Sequence, residues 1–210
     1  MHTVARVTDI QPLVEDCELV IFDLDDTLYA EKDYVKSGYQ KIARAFPQIE
    51  NMAGKLWEAF LAGKQAINEV LQAENLLTEQ NLKKCLEIYR NQMPDICLYD
   101  GVLELLQSLK ADGKKLALIT DGRIEGQRAK ICALGIENAF DSIIITDELG
   151  GIEYRKPCEK AFVLTVERLG ATYEKSVYIG DNVHKDFVAP SKLGMQSILV
   201  KNQDGLYYKG

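Results

Sequence analysis

No stretch of this sequence approaches the ~18 consecutive apolar residues that a membrane span needs. Basic charge is in the minority: 25 Lys and Arg face 32 Asp and Glu, for a formal net charge of -7 and a pI of about 5.0. A nucleic-acid footprint is normally basic, so no such partner is expected. The 5 cysteines (Cys17, Cys85, Cys97, Cys132 and Cys158) are odd in number and form no CxxC pair. Reduced, mostly buried thiols in a cytoplasmic protein are the simplest reading. The opening residues carry Asp9, Glu15 and Asp16 and lack a long apolar core, so they do not read as a signal peptide. Internal repeats and low-complexity segments are lacking too. What is present is a chain of 210 residues, 47% hydrophobic, enough for one full domain or a domain plus a smaller insert.

The rhythm of apolar residues changes along the chain. Leu19 to Phe22 is a short apolar run that ends at acidic residues, as a buried parallel strand would. From residue 33 to 93 the spacing is helical. Val35, Tyr39, Ile42 and Phe46 fall on one face, and Leu56, Trp57, Phe60 and Leu61 repeat the pattern. Further helical groups are Ile67, Val70 and Leu71, then Leu82, Cys85, Leu86 and Tyr89, with Thr78 as a plausible N-cap. After Pro94 short strands alternate with helices. The strands are 115–120, 142–146, 176–180 and 196–200, and the helices are 101–110, 124–134, 157–169 and 185–193. This alternation predicts an α/β fold, a Rossmann-like parallel sheet covered by helices. The helical block then reads as an insertion after the first strand, a small all-helical cap over 31–94, with the core formed by 1–30 and 95–210. Such sheets place their sites at the carboxyl ends of the strands.

Polar residues gather at those ends. "VIFDLDDTLY" puts Asp23, Asp25 and Asp26 after a strand, although carboxylates are seldom buried and repel one another. "LIT" runs into Asp121, Gly122 and Arg123; Lys156 precedes a predicted helix; "SVYIG" runs into Asp181, with Asp186 shortly after. Several carboxylates with a hydroxyl or carbonyl suit a hard divalent cation, most simply Mg²⁺. A lysine and a threonine beside backbone N–H groups suit a phosphate. Together they suit phosphoryl transfer through an aspartyl-phosphate.

These residues resemble the haloacid dehalogenase-like (HAD) superfamily in its phosphatase branch. "DLDDT" is similar to the DxDxT motif, Thr120 to the strand-end Ser/Thr, Lys156 to the family lysine, and "GDNVHKD" to GDxxxxD, in the right order over about residues 19 to 200. The resemblance implies that Asp23 is the nucleophile and Asp25 the acid and base. It implies that Asp23, the backbone carbonyl of Asp25 and Asp181 hold Mg²⁺. Thr120, with Asp121, Gly122 and Arg123 nearby, would contact the phosphoryl group, and Lys156 would neutralise its charge. Asp186 would support the lysine or a metal-bound water. Asp25 also separates branches, because the dehalogenases lack an aspartate there and a departing halide needs no acid. The helical block is similar to the family's cap, which leaves room for a small phosphoester substrate only.

Two positions depart from the family pattern. Asp121 stands where Asn is usual, so its carboxylate should point away from the phosphate or be compensated, with Arg123 as a candidate. KPxP is matched only over Lys156 and Pro157, which should adjust a helix start and spare the lysine. Asp26 is expected to cap a turn, and Thr27 to brace the loop through a local hydrogen bond. Tyr29, Glu31, Lys36 and Arg123 are candidates to face the substrate. The leading function is a Mg²⁺-dependent phosphatase of a small phosphorylated metabolite, such as a sugar phosphate or nucleotide. A phosphomutase of the β-phosphoglucomutase type and a weakly active phosphate-binding regulatory protein stand as alternatives. Oligomeric state is left open.

Overall fold

A computed structural model describes residues 1–202 and 205–206. The chain divides into two compact units, Met1–Glu31 with Cys97–Gly210, and Lys32–Ile96.

The first unit holds a six-stranded, all-parallel sheet. Its strands are β1 (His2–Val4), β2 (Leu19–Phe22), β3 (Lys115–Thr120), β4 (Ser142–Ile145), β5 (Ser176–Gly180) and β6 (Gln196–Val200), in the spatial order β1-β6-β5-β2-β3-β4. β2 is fully buried along LVIF, because it lies between β3 and β5 with Phe22 level with Leu118 on one side and Ile179 on the other. A strand covered on both faces by helices carries continuous rather than alternating apolar residues. Leu19 and Ile21 face one core with Ile119, Ile144, Phe162, Val166 and Tyr178. Phe22, pointing the other way, meets Phe140 edge-on at 6.1 Å between ring centroids. The covering helices are α5 (Val102–Ala111), α6 (Ile124–Leu134), α7 (Lys160–Leu169) and α8 (Val188–Leu193); α5 packs on β3, α7 on β3 and β4, and α8 on β6.

The second unit contains most of α1 (Glu31–Ala45), then α2 (Met52–Leu61), α3 (Ala66–Ala73) and α4 (Glu79–Arg90). Val35, Tyr39, Ile42 and Phe46 are buried, as the helical spacing predicts. Thr78 caps α4 by accepting from the Asn81 N–H at 3.1 Å. Tyr34 and Tyr89 meet edge-on at 5.7 Å. Leu61 departs from its predicted face and is 65% exposed at the end of α2.

Three boundaries differ from the sequence expectation, each for a local reason. The helix expected from residue 185 starts at Val188. The Asp186 carboxylate accepts from the Asn182 N–H (2.9 Å) and the Asn182 side chain from the His184 N–H (3.0 Å), so side chains take the groups a helix would use. The helix expected from Pro157 starts at Lys160, after a turn closed by the Cys158 N–H on the Arg155 carbonyl at 2.9 Å. β4 stops at Ile145 because Thr146–Leu149 turns into a 3₁₀ helix. Sequence reading also missed β1, a three-residue strand that pairs with β6, and the 3₁₀ segment Val7–Leu13.

Candidate active site

The end of β2 is the point from which the sheet order departs in both directions, and Asp23 leaves it there. Its N–H donates to the Ile179 carbonyl at 2.8 Å, which ties the aspartate to the neighbouring strand. β3 delivers Thr120 and β5 delivers Asp181 at the same end. A cavity of about 460 Å³ is lined there by Asp23, Asp25, Asp26, Glu31, Asp121, Arg155, Lys156, Asp181, Asn182 and Lys185. Of the residues singled out in the sequence, the fold brings Asp23, Asp25, Asp26, Glu31, Asp121, Lys156 and Asp181 to this lining, while Thr27, Tyr29, Lys36, Thr120, Gly122, Arg123 and Asp186 lie outside it.

Lys156 is the centre of the charge arrangement. Its ammonium lies 2.6 Å from Asp23, 2.9 Å from Asp186 and 2.8 Å from the Tyr178 hydroxyl, with its side chain fully buried. Burial opposes that charge, but Asp186 and Asp23 outweigh it and hold the lysine well above its ordinary pKa. Asp186 is itself fully buried and accepts the Asn182 N–H, so it braces both the lysine and the turn after β5. Gly180 makes room for it: a Cβ there would come within 2.6 Å of the Asp186 carboxylate.

Negative charge still exceeds positive. One oxygen each from Asp23, Asp181 and Asp186 lie within 4.8 Å of one another. Burial, then the charges of Asp23 and Asp186, push Asp181 up to about 8. Burial raises Asp23 to about 6 despite Lys156. Burial, with Asp25 adding to it, lifts Glu31 to about 8. Clustered hard oxygens with surplus negative charge are what a divalent cation would relieve, so the residues present fit Mg²⁺.

Asp25 has a separate set of partners. Its carboxylate accepts from Lys130 at 2.7 Å, from Gln127 at 3.0 Å and from the Tyr29 hydroxyl. Burial would raise its pKa, yet Lys130 and these hydrogen bonds hold it below the ordinary carboxylate value. Gln127 also donates to the Thr120 hydroxyl, which is fully buried. Sequence reading missed Gln127 and Lys130. The available signal was their place on α6, where they share a buried face with Ile131 and Leu134 at helical spacing.

The departure at Asp121 has a structural account. One carboxylate oxygen accepts both the Lys156 N–H at 3.0 Å and the Thr146 hydroxyl at 2.9 Å, so Asp121 ties the turn after β4 to the lysine loop. Its compensating cation is Lys185 at 3.6 Å rather than Arg123. Arg123 is exposed at the start of α6, outside the cavity lining. Burial and Lys156 oppose the charge of Lys185, while Asp23, Asp186 and Asp121 outweigh them and raise its pKa. Arg155 makes a two-pronged pair with Asp147, both contacts at 2.7 Å. Asp26 is a capping residue with φ 53°, accepting the Glu31 N–H at 2.9 Å. Thr27 departs from expectation: its buried hydroxyl has no hydrogen-bond partner among the described residues. Of the substrate-facing candidates, Glu31 lines the cavity, Tyr29 is buried against Asp25, and Lys36 pairs with Asp33 in the helical unit.

Comparison with known proteins agrees with this architecture. Residues 20–200 match the protein-family model described as haloacid dehalogenase-like hydrolase. The chain is 28% identical over 193 residues to a glyceraldehyde 3-phosphate phosphatase of Methanocaldococcus jannaschii, covering 86% of this chain and 83% of that one. It is 30% identical over 191 residues to the pyrophosphatase PpaX of Halalkalibacterium halodurans, covering 86% and 82%. Among solved structures, a HAD-superfamily hydrolase of Geobacter sulfurreducens superposes with a TM-score of 0.66 at 17% identity, over 90% of this chain and 89% of that one.

Proposed function

The chain belongs to the haloacid dehalogenase-like hydrolase family, and on that footing we propose that it is a phosphoric monoester hydrolase acting on a small phosphorylated metabolite through an aspartyl-phosphate on Asp23. The observation that carries this reading is the Asp23–Lys156 pair, 2.6 Å apart at the end of the central strand and facing an acidic cavity of about 460 Å³. The phosphatase names of the relatives in Methanocaldococcus jannaschii and Halalkalibacterium halodurans support the substrate class.

An Asp23 oxygen attacks phosphorus, a P–O bond forms to the carboxylate, and the ester P–O bond breaks. The departing alcohol oxygen takes its proton from Asp25. Water then attacks phosphorus, the bond to Asp23 breaks, and the water's proton passes to Asp25, where it serves the next leaving group. Lys130 and the hydrogen bonds from Tyr29 and Gln127 favour the carboxylate form of Asp25, the form that accepts that proton. Lys156 keeps Asp23 oriented and offsets charge on the phosphoryl group. Thr120, with its hydroxyl set by Gln127, is the proposed phosphoryl contact. Mg²⁺ would be held by Asp23, Asp181 and the backbone carbonyl of Asp25, and when bound it would neutralise charge developing on the phosphoryl oxygens. The unit Lys32–Ile96 is proposed as the family's cap, which favours small substrates.

The test is phosphate release from a panel of sugar phosphates, nucleotides and short acid phosphates, with Mg²⁺ and with EDTA, for wild type and Asp23→Asn. Metal-dependent release lost in the variant is expected. Phosphorylation of Asp23 with sugar-phosphate isomerisation and no net release would replace the phosphatase with a mutase.

A further inference from the structure

The site contains a second buried lysine that the proposed reaction does not use. Lys130 comes from α6, its side chain is 7% exposed, and its ammonium lies 2.7 Å from Asp25. Burying an ammonium is costly unless it is paired and hydrogen-bonded. Lys130 is not among the residues lining the cavity, whereas Asp25 is. The lysine meets the aspartate on the oxygen that Tyr29 also contacts. Two aspartates two residues apart each have their own lysine from a different element, Lys156 for Asp23 and Lys130 for Asp25. Around Asp25 the arrangement is a clamp. One oxygen accepts from Lys130 and the Tyr29 hydroxyl, and the other accepts from Gln127 at 3.0 Å. Tyr29 is fully buried and Gln127 nearly so, which leaves the carboxylate little rotational freedom.

We propose that Lys130 is the positioning residue of the acid/base, fixing Asp25 through this clamp so that proton delivery to the leaving alcohol, rather than attack on phosphorus, depends on it. The inference rests on the phosphatase reading above. A positioned acid contributes on the order of 10²–10⁴ to rate, and a displacement of about 1 Å forfeits much of that. The loss should be confined to substrates whose leaving group needs the proton.

The experiment compares kcat/KM, which reports the step up to aspartyl-phosphate formation, for p-nitrophenyl phosphate and for the best alkyl phosphate of the panel. Lys130→Met is expected to lower kcat/KM at least ~10-fold for the alkyl ester and no more than ~3-fold for the aryl ester, whose nitrophenolate leaves unprotonated. Lys130→Arg should restore part of the alkyl rate. Mg²⁺ affinity measured by calorimetry should stay within about threefold of wild type, since the clamp holds the side chain and not the proposed carbonyl ligand. Equal losses on both esters, no loss on either, or a matching loss of Mg²⁺ affinity would each overturn the proposal. If Lys130→Met does not fold, as judged by near-UV circular dichroism, Lys130→Gln carries the same comparison, with Lys130→Arg as its rescue. A wild-type protein that releases phosphate from neither ester refutes the phosphatase reading itself and this inference with it; an active wild type with an unselective variant refutes this inference alone.

Discussion

Removing the Lys156 charge should destabilise the metal-free protein far more than removing either of its carboxylate partners. Lys156 is fully buried, with Asp186 fully buried at 2.9 Å and Asp23 almost so at 2.6 Å. The three charges sum to -1 while the lysine is present. Lys156→Met leaves two buried carboxylates facing each other and Asp181, with no cation between them. Asp186→Asn and Asp23→Asn each leave a single neutral pair. Breaking a buried ion pair from the side that strands the charge costs about 3–5 kcal/mol. That is a large part of the ~5–15 kcal/mol by which a domain is stable. At about 2–4 °C per kcal/mol the melting temperature of Lys156→Met should fall by roughly 10 °C. The single asparagine variants should lose about 1–2 kcal/mol, the worth of hydrogen bonds to a charged group. Lys156→Met/Asp186→Asn should be more stable than Lys156→Met alone, because the second change removes a stranded charge. Urea unfolding in EDTA measures all four variants. The electrostatic account is refuted if Lys156→Met costs less than about 1 kcal/mol, or if Asp186→Asn costs more than Lys156→Met.

Three further outcomes follow from the same geometry. In EDTA, stability should fall as pH rises from about 5 to 8, because Asp181 and Glu31 (each near 8) and Asp23 (near 6) hold protons in the folded protein that the unfolded chain has already released. Mg²⁺ should flatten that slope, since cation and proton compete for Asp23 and Asp181; unfolding at both pH values with and without metal checks it, and Asp181→Asn should flatten it too. Asp121→Asn should keep its activity and change stability by less than about 1 kcal/mol, because a single oxygen serves both Lys156 N–H and Thr146 and the lost pair with Lys185 is partly exposed; Asp121→Ala should lose activity, and equal loss in both would refute the reading. Thr27→Val should leave stability unchanged or raise it by about 1 kcal/mol, since the buried hydroxyl it removes has no partner among the described residues; a loss above about 1 kcal/mol in thermal melts would show that the hydroxyl is bonded.

The sequence by itself determined the fold class and the parts of the site that lie next to strand ends. Asp23, Thr120 and Asp181 each follow directly on an apolar run, and in a parallel sheet a residue at that position must emerge at the carboxyl edge. Their place was legible because the address is one-dimensional. The helical unit was legible for a related reason, since Val35, Tyr39, Ile42 and Phe46 repeat at the helical period and all are buried. Only the tertiary structure decided which charge meets which. Lys156 and Asp23 are distant in sequence, and so are Lys130 and Asp25, yet each pair closes to under 3 Å. No periodicity encodes such a meeting. It depends on how α6 and the loop before α7 are placed against the sheet, and in a buried site an ångström decides whether a carboxylate is paired or stranded. The same distinction explains Asp121. Its carboxylate looked unfavourable beside a phosphate, but packing turned it to a backbone N–H and a threonine hydroxyl, partners that only the folded chain brings within reach.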